Sequence, residues 1–139
     1  DDGRIIAAST GTATNDHAYS LQWEETFARV RLTVVDAEGA ESTGEVDTDA
    51  LTLAEDGWVH LAFVFDGSIS DEAIDNLTIF VDGTASASDR LDGVAVPAGT
   101  LEAFIGNVNA TDDRYFAGVI DEVLVFGRAL TADEVVALQ

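Results

Sequence analysis

The sequence predicts an all-β domain, an antiparallel β-sandwich of the jelly-roll type with a short C-terminal helix. Three observations support this prediction: several short segments are alternating or uniformly apolar, Asp-Gly pairs separate them, and only the C-terminus carries a helix-start signal. About seven strands with short turns and one terminal helix are typical of this architecture. The 139 residues correspond to one domain, and the 47% hydrophobic content is sufficient for a full core.

The predicted strands are recognised by their hydrophobic pattern. Residues 27–35 (FARVRLTVV) alternate in polarity, which is typical of a strand with one solvent face and one core face. Residues 57–65 (GWVHLAFVF) are apolar on both faces, which indicates a central strand covered on both sides. The other predicted strands are shorter runs at residues 4–8, 17–23, 76–82, 101–105 and 119–126.

Turn and cap residues mark the ends of these elements. Asp-Gly pairs supply the positive φ that tight turns need. They occur at positions 66–67, 82–83 and 92–93. Residues 84–100 are small and polar, and they predict a long loop with at most one short strand. Thr131 is placed to cap a helix, with Glu134 three residues later.

The charge of the chain restricts its partners. Asp and Glu number 27 against 6 basic residues, all of them arginine, so the formal net charge is −21. This charge excludes the usual nucleic-acid binder, which needs a basic face, and it opposes docking on anionic lipid. At molar salt the Debye length falls to ~3 Å and self-repulsion is screened. The lysine-free, acidic composition therefore predicts a halophile's protein; an acidic extracellular domain from a marine or calcium-rich setting is the alternative.

The absence of cysteine and of long apolar runs excludes further classes. With no cysteine, the chain forms no disulfide, thiolate–zinc site, thiol nucleophile or iron–sulfur cluster. No apolar run approaches the ~18 residues that a membrane-spanning helix needs, so we expect no membrane insertion.

Three segments follow a recognisable pattern in order and spacing. They are residues 57–67 (GWVHLAFVFDG), 77–83 (LTIFVDG) and 115–135 (YFAGVIDEVLVFGRALTADEV), with the strand end 105–107 (IGN) before the third. Together they resemble the laminin G-like domains of the concanavalin A-like lectin superfamily. The resemblance covers about residues 5–139 and implies the jelly-roll sandwich of that superfamily.

The resemblance also implies that this single domain, residues 1–139, lacks its first strands and is cut from a longer chain. Domains of the family begin with two or more further strands, and this sequence starts near the third or fourth. A sandwich without those strands exposes a sheet edge. We therefore expect upstream residues of the same polypeptide, or a neighbouring subunit, to fill a gap beside the 4–8 or the 119–126 strand.

Asp121 is the candidate metal ligand. It lies inside a predicted apolar strand, where an ionised carboxylate needs a backbone donor, an arginine or a cation. In related sandwiches an aspartate near the start of the last strand helps to hold a structural Ca²⁺, so the resemblance implies Asp121 as a calcium ligand. The alternative is a rim position with bonds to backbone amides. Asp47 and Asp49 form a second acidic pair but lack the other positions of a calcium loop.

The loop at residues 107–114 (NVNATDDR) is the candidate ligand-binding site. Its polar side chains are suited to bonding sugar hydroxyls or a cation, and an ordinary solvated loop is the alternative. The candidate residues are Asn107, Asn109, Asp112, Asp113 and Arg114. Two N-x-[ST] sequons begin at Asn76 and Asn109, and Asn76 is the poorer acceptor because it starts a predicted strand. Trp58 is predicted as a core anchor, with a sugar-stacking platform as the alternative. His60 is predicted as a hydrogen-bonded structural residue, with a metal ligand as the alternative.

The sequence predicts a non-catalytic protein. The E-x-D-x-x-E string of the laminarinase-like branch of the superfamily does not occur, nor does a Ser/His/Asp set, a phosphate-binding glycine loop or a histidine pair for zinc. The leading prediction is a recognition or adhesion module of an extracellular or surface protein of a halophile, with a glycan or protein ligand. A structural domain of a surface layer, filament or virion, beside other subunits of the assembly, is the alternative, and an accessory domain of a hydrolase is a third possibility.

Overall fold

The computed structural model describes residues 2–9, 17–24, 27–35, 41–49, 57–93, 102–107 and 115–139. In chain order its elements are β1 (Asp2–Ser9), β2 (His17–Glu24), β3 (Phe27–Val35), β4 (Glu41–Asp47), β5 (Leu61–Phe65), β6 (Leu77–Val81), β7 (Thr84–Asp89), β8 (Glu102–Ile105) and the helix α1 (Ala132–Val136). The large sheet has the strand order β4-β3-β2-β1-β8, and the small sheet has the order β5-β6-β7. All pairs of neighbouring strands are antiparallel, so the predicted all-β class with a C-terminal helix is confirmed.

The two sheets share one hydrophobic core. On β3, Ala28, Val30 and Leu32 are at most 1% exposed, and on β6 Leu77 and Ile79 are fully buried. These residues belong to one contiguous cluster, which joins the two sheets face to face. Since successive side chains of a strand point to opposite faces, burial of residues 28, 30 and 32 between the partly buried residues 27, 29 and 31 confirms the predicted alternation over this part of the strand.

Ion pairs cover the outer face of the large sheet. Arg29 donates two hydrogen bonds to the carboxylate of Asp47, at 2.6 and 2.9 Å, and a third to Glu24 at 2.8 Å. The hydrogen bond to Asp47 is the main cause of a raised pKa at Arg29. Arg31 pairs with Glu45 in the same way. In each pair the two residues lie directly opposite each other in the β3–β4 register, so both pairs help to align β4 with β3. Apolar periodicity did not predict β4.

The hairpin between β6 and β7 contains a two-residue Asp-Gly turn. Asp82 and Gly83 have φ values of 45° and 66°, the left-handed conformation that this short turn requires. The predicted turn at this position is confirmed. The following strand, β7, is the one short strand that the prediction allowed within residues 84–100.

The helix α1 begins as the sequence predicts. The Thr131 hydroxyl accepts a hydrogen bond from the backbone N–H of Glu134 at 3.3 Å, and the Glu134 carboxylate accepts the backbone N–H of Thr131 at 2.9 Å. Arg128 donates two hydrogen bonds to the same carboxylate, at 2.7 and 2.9 Å. These bonds, together with the Thr131 amide, lower the pKa of Glu134 to about 2. Val135, fully buried, anchors the helix to the domain.

A buried asparagine fixes the segment that follows β7. The Asn76 side chain is 3% exposed. Its amide nitrogen donates to the Leu91 carbonyl and its oxygen accepts the Leu91 N–H, both at 2.9 Å. Leu91, 6% exposed, is thereby held against Gly44 of β4. The burial of Asn76 agrees with its prediction as the poorer glycan acceptor, whereas Asn109 lies outside the described residues.

Two predictions about the apolar run 57–65 are wrong. Trp58 is 67% exposed and is not a core anchor, and the strand begins only at Leu61. The strand, β5, is not central, because within the described part of the chain only β6 pairs with it. Its residues are all partly buried, which agrees with a strand at the edge of the small sheet as far as the structure describes that sheet.

The predicted strand at residues 119–126 is also wrong. These residues have no strand pairing, and Val119, Leu124 and Val125 are 61–74% exposed. Residues 4–8, in contrast, lie in β1, which pairs with β2 on one side and β8 on the other. Of the two alternative positions for the expected gap, the one beside residues 4–8 is thus already paired on both sides, and the expected gap stays a prediction for residues 119–126. Residues 119–126 therefore have the apolar sequence of a strand but pair with none of the described strands.

Candidate functional site

The structure describes only one residue of the predicted ligand-binding loop. Asn107 is half-buried and follows Gly106, whose φ of 78° turns the chain away from β8. The other candidates, Asn109, Asp112, Asp113 and Arg114, lie outside the described residues. Ligand binding by this loop therefore stays a prediction.

Asp121, the predicted calcium ligand, is exposed. One carboxylate oxygen accepts the backbone N–H of Glu122 at 2.9 Å, and Glu122 has a φ of 49°. Within the described ranges no three histidine or acidic side chains gather around a common point. The described side chains alone do not complete a calcium site here, since Ca²⁺ takes 6–8 oxygen ligands. The resemblance implies backbone carbonyls and residues near the N-terminus as the further ligands. Calcium binding at Asp121 stays a prediction.

A broad opening lies beside β5 and is here called the cleft. Its volume is about 1030 Å³, at the upper end of the roughly 300–1,000 Å³ of ligand pockets. Residues 57–65 form one wall, and residues 116–130, without Gly118, form the opposite wall. Tyr19, Leu21 and Trp23 of β2 form part of the floor. The cleft thus opens directly onto the core face of the large sheet.

Large apolar side chains stand exposed along the second wall. Val119, Leu124, Val125 and Phe126 are 74, 61, 68 and 45% exposed, and Trp58 on the first wall is 67% exposed. Single exposed apolar residues are ordinary, but a contiguous group lining one cleft is typical of an interaction site. The cleft therefore has the apolar character of a protein-binding surface.

One backbone edge of the strand β5 points away from β6, and no described strand pairs with it. The Asp82 N–H donates to the His60 carbonyl at 2.9 Å, and the Asp66 N–H donates to the Asn76 carbonyl at 2.8 Å. With the β5–β6 register, these bonds direct the backbone groups of even-numbered residues to β6. The N–H and C=O groups of Leu61, Phe63 and Phe65 therefore point away from β6. Their side chains pack against the core, with the Phe63 ring 5.9 Å from that of Tyr19.

The charged groups of the cleft are mainly acidic. Asp82, Asp121 and Glu122 belong to its lining, and the lining cation, Arg128, is engaged by Glu134 at 2.7 Å. His60 also lies there, half-buried, with a buried Nδ1 that bonds to no described residue. The cleft therefore favours a ligand that is largely apolar and neutral or basic in charge.

The sequence analysis did not identify the free edge of β5 or the apolar wall opposite it. The apolar runs 57–65 and 119–126 were both interpreted as strands buried in the core. Both runs have the apolar pattern of strands that need a neighbouring strand. That pattern is consistent with an open cleft between the two runs. Only the expected gap beside 119–126 pointed to this region.

Comparison with known proteins identifies a family. A family model described as the concanavalin A-like lectin/glucanases superfamily, laminin G-like, matches residues 1–136. The motifs at 57–67, 77–83 and 115–135 all lie within this match. Searches of the curated proteins and of the solved structures gave no match. In the part of the chain that the structure describes, no helix is long and apolar enough to cross a membrane.

Proposed function

Because the chain belongs to the concanavalin A-like lectin/glucanase superfamily, we propose that it is a non-catalytic recognition domain that binds a polypeptide partner through the cleft. The observation that carries this proposal is the apolar cleft of about 1030 Å³ with exposed side chains along one wall. Laminin G-like domains are typically binding modules, which supports recognition over catalysis. The domain is proposed to act in an extracellular or surface protein.

The cleft favours a polypeptide over a glycan. Most of the residues that line the cleft are apolar, including valine, leucine, phenylalanine and tryptophan, and its polar groups are fewer. Aromatic and aliphatic anchors in a desolvated pocket supply most of the binding energy at protein interfaces. Glycan binding by the loop at 107–114 remains a separate prediction, with its own residues.

The acidic composition supports a saline setting. With a net charge of −21, the domain repels itself and acidic partners at low ionic strength. Molar salt shortens the Debye length to ~3 Å, which removes most of this repulsion while apolar burial persists. Recognition through an apolar cleft is therefore compatible with a halophile's environment, where charge–charge attraction is weak.

A selection experiment with matched variants tests the proposed function. A random peptide library and a polysaccharide panel are offered to the wild-type domain in molar KCl. Val125→Asp places a charge on the cleft wall, and Ile74→Asp places one on an exposed apolar residue outside the cleft lining. Circular dichroism establishes that both variants remain folded.

The expected result is that selected peptides bind the wild type and Ile74→Asp equally and lose binding to Val125→Asp. Polysaccharide binding that is unaffected by Val125→Asp, without any peptide binding, contradicts the proposal and favours the loop at 107–114. Release of reducing sugar from the polysaccharides contradicts the non-catalytic assignment.

A further inference from the structure

We infer that the Asp92–Gly93 pair is a site of spontaneous isoaspartate formation in the folded protein. The reaction starts when the backbone nitrogen of the following residue attacks the carboxyl carbon of the aspartate side chain. A new amide bond forms, water leaves, and the product is a succinimide ring. Water then opens the ring, and opening at the original main-chain carbonyl leaves the main chain running through the aspartate side chain.

The chain has three Asp-Gly pairs at which this reaction is chemically favoured. Glycine in the second position has no side chain to obstruct the attack of its nitrogen. The pairs lie at 66–67, 82–83 and 92–93, and the structure describes all three. They differ in how the aspartate carboxyl is held. The folded structure therefore decides which pair reacts first.

The Asp66 carboxylate is held by Ser68. Its Oδ1 accepts the hydroxyl of Ser68 at 2.6 Å and the backbone N–H of Ser68 at 3.0 Å. The bond from the hydroxyl is the main cause of a lowered pKa at Asp66. The attack requires a neutral carboxyl group, because an ionised one has no good leaving group. Both the hydrogen bonds and the ionisation therefore slow the reaction at Asp66.

The Asp82 carboxylate bonds to the neighbouring chain segment. Its Oδ1 accepts the backbone N–H of His60 at 2.9 Å, and the Asp82 N–H donates to the His60 carbonyl at 2.9 Å. The turn itself is closed by the pairing of Val81 with Thr84. Attack by the Gly83 nitrogen therefore competes with the bond to His60 and with the closed turn, which slows the reaction at Asp82.

The Asp92 side chain, in contrast, is 88% exposed. Its Oδ1 lies 3.8 Å from Arg90 Nε, and an exposed ion pair of this length constrains a carboxylate only weakly. The Arg90 guanidinium itself donates to the carbonyls of Ile69 and Ile74, at 2.9 and 3.3 Å. Residues 91–93 lie outside the helix and the strands, where the backbone rearranges at low cost in free energy. The geometry needed for attack is therefore most accessible at Asp92.

The modification adds a methylene group to the main chain directly after a fixed residue. Asn76 holds both the N–H and the C=O of Leu91. The contact of Leu91 with Gly44 also lies before the modified bond. We therefore expect the fold to stay unchanged as far as Leu91, and the path of the chain to change from Gly93 onwards.

Peptide mapping of an incubated sample tests the inference. The intact chain is kept in molar KCl below its melting temperature and then digested, and electron-transfer fragmentation measures isoaspartate at each Asp-Gly pair. We expect isoaspartate to form about tenfold faster at Asp92 than at Asp82, as the one hydrogen bond to His60 predicts. Asp66 should also be slower than Asp92. In urea the three rates should converge, because no folded structure then distinguishes the pairs.

Two variants provide matched controls. Ser68→Ala removes the hydroxyl bond to Asp66, so the rate at Asp66 should rise while the rate at Asp92 stays the same. Asp92→Glu should abolish the signal at 92–93, because the larger ring that glutamate would need forms much more slowly. Circular dichroism establishes that both variants remain folded.

The outcomes decide between structure and sequence as the cause. Equal rates at the three pairs in the folded chain, or a faster rate at Asp66 or Asp82, overturn the inference. A preference for Asp92 that persists unchanged in urea assigns the selectivity to the local sequence and also overturns it. Faster reaction at Asp92 in the folded chain, with convergence in urea, supports the inference whether or not the cleft binds a polypeptide.

Discussion

Substitution of Gly44 by alanine is expected to destabilise the domain, although alanine is normally the better strand residue. A Cβ at Gly44 lies 1.7 Å from Cδ2 and 3.0 Å from Cγ of Leu91, so the leucine must move. The two hydrogen bonds from Asn76 hold the Leu91 backbone and restrict that movement. Overpacking typically costs about 1–3 kcal/mol, whereas the lower unfolded-state entropy of alanine contributes only about 0.4–1 kcal/mol in favour.

The expected net loss is therefore about 1–2 kcal/mol in the free energy of unfolding. At roughly 2–4 °C per kcal/mol for a domain near this size, the melting temperature falls by several degrees. Thermal melts followed by circular dichroism in molar KCl measure the change. Gly127→Ala is the matched control, because a Cβ there has no atom within 4 Å, and its effect is expected to stay within about 0.5 kcal/mol.

A double-mutant cycle tests the cause of the loss. Leu91→Ala alone is expected to cost about 2–5 kcal/mol, because it removes a buried side chain. In that background Gly44→Ala no longer meets a leucine and should become neutral or stabilising. An equal cost of Gly44→Ala with and without Leu91 refutes the proposed clash, as does a neutral effect in the wild type.

Three further predictions concern the solution conditions. Below about 0.1 M salt, where the Debye length exceeds ~10 Å, the melting temperature of this −21 domain should fall, and molar KCl should restore it; a midpoint independent of salt contradicts the halophile assignment. Ca²⁺ in high salt should raise the melting temperature of the wild type but not of Asp121→Ala, and an equal response in both leaves Asp121 as a backbone-bonding residue. The lowered pKa of Glu134, about 2 against 4.5, stabilises the fold above pH 4.5, and this contribution is lost as the pH falls through 2. Glu134→Gln should show a smaller difference in unfolding free energy between pH 5 and pH 2; because Arg128 and Glu134 are exposed, the difference is small, and identical pH profiles contradict it.

The sequence predicts those elements whose stability arises locally or within one alternating strand. Residues 27–32 have every second side chain buried, and the Thr131 cap with Glu134 needs only four consecutive residues. The strand β4 could not be predicted from apolar periodicity, because its residues ESTGEVD are held partly by ion pairs with Arg29 and Arg31 across the sheet. That pairing depends on register, which one strand's sequence does not contain.

The errors in the apolar runs have one physical cause. A continuous apolar pattern such as that of residues 57–65 indicates that a segment favours burial. It does not indicate whether the neighbour that buries the segment belongs to the same chain. Trp58 and residues 119–126 have the composition of core strands and are nevertheless exposed. The cleft could not be predicted for the same reason. Its two walls are apolar segments that the sequence predicts as buried strands, and the structure leaves part of each exposed.

The paired hydrogen bonds of Asn76 also bear on the chemical ageing of the protein. Deamidation of asparagine begins with attack of the following backbone nitrogen on the side-chain carbonyl. Here that nitrogen belongs to the buried strand residue Leu77, and the amide is held at both ends by Leu91, so the cyclic intermediate is inaccessible while the domain is folded. An unfolded molecule loses this protection. The resulting aspartate cannot donate to the Leu91 carbonyl when ionised. Each unfolding event therefore gives a chance of irreversible damage, after which the refolded molecule holds the segment at Leu91 less firmly.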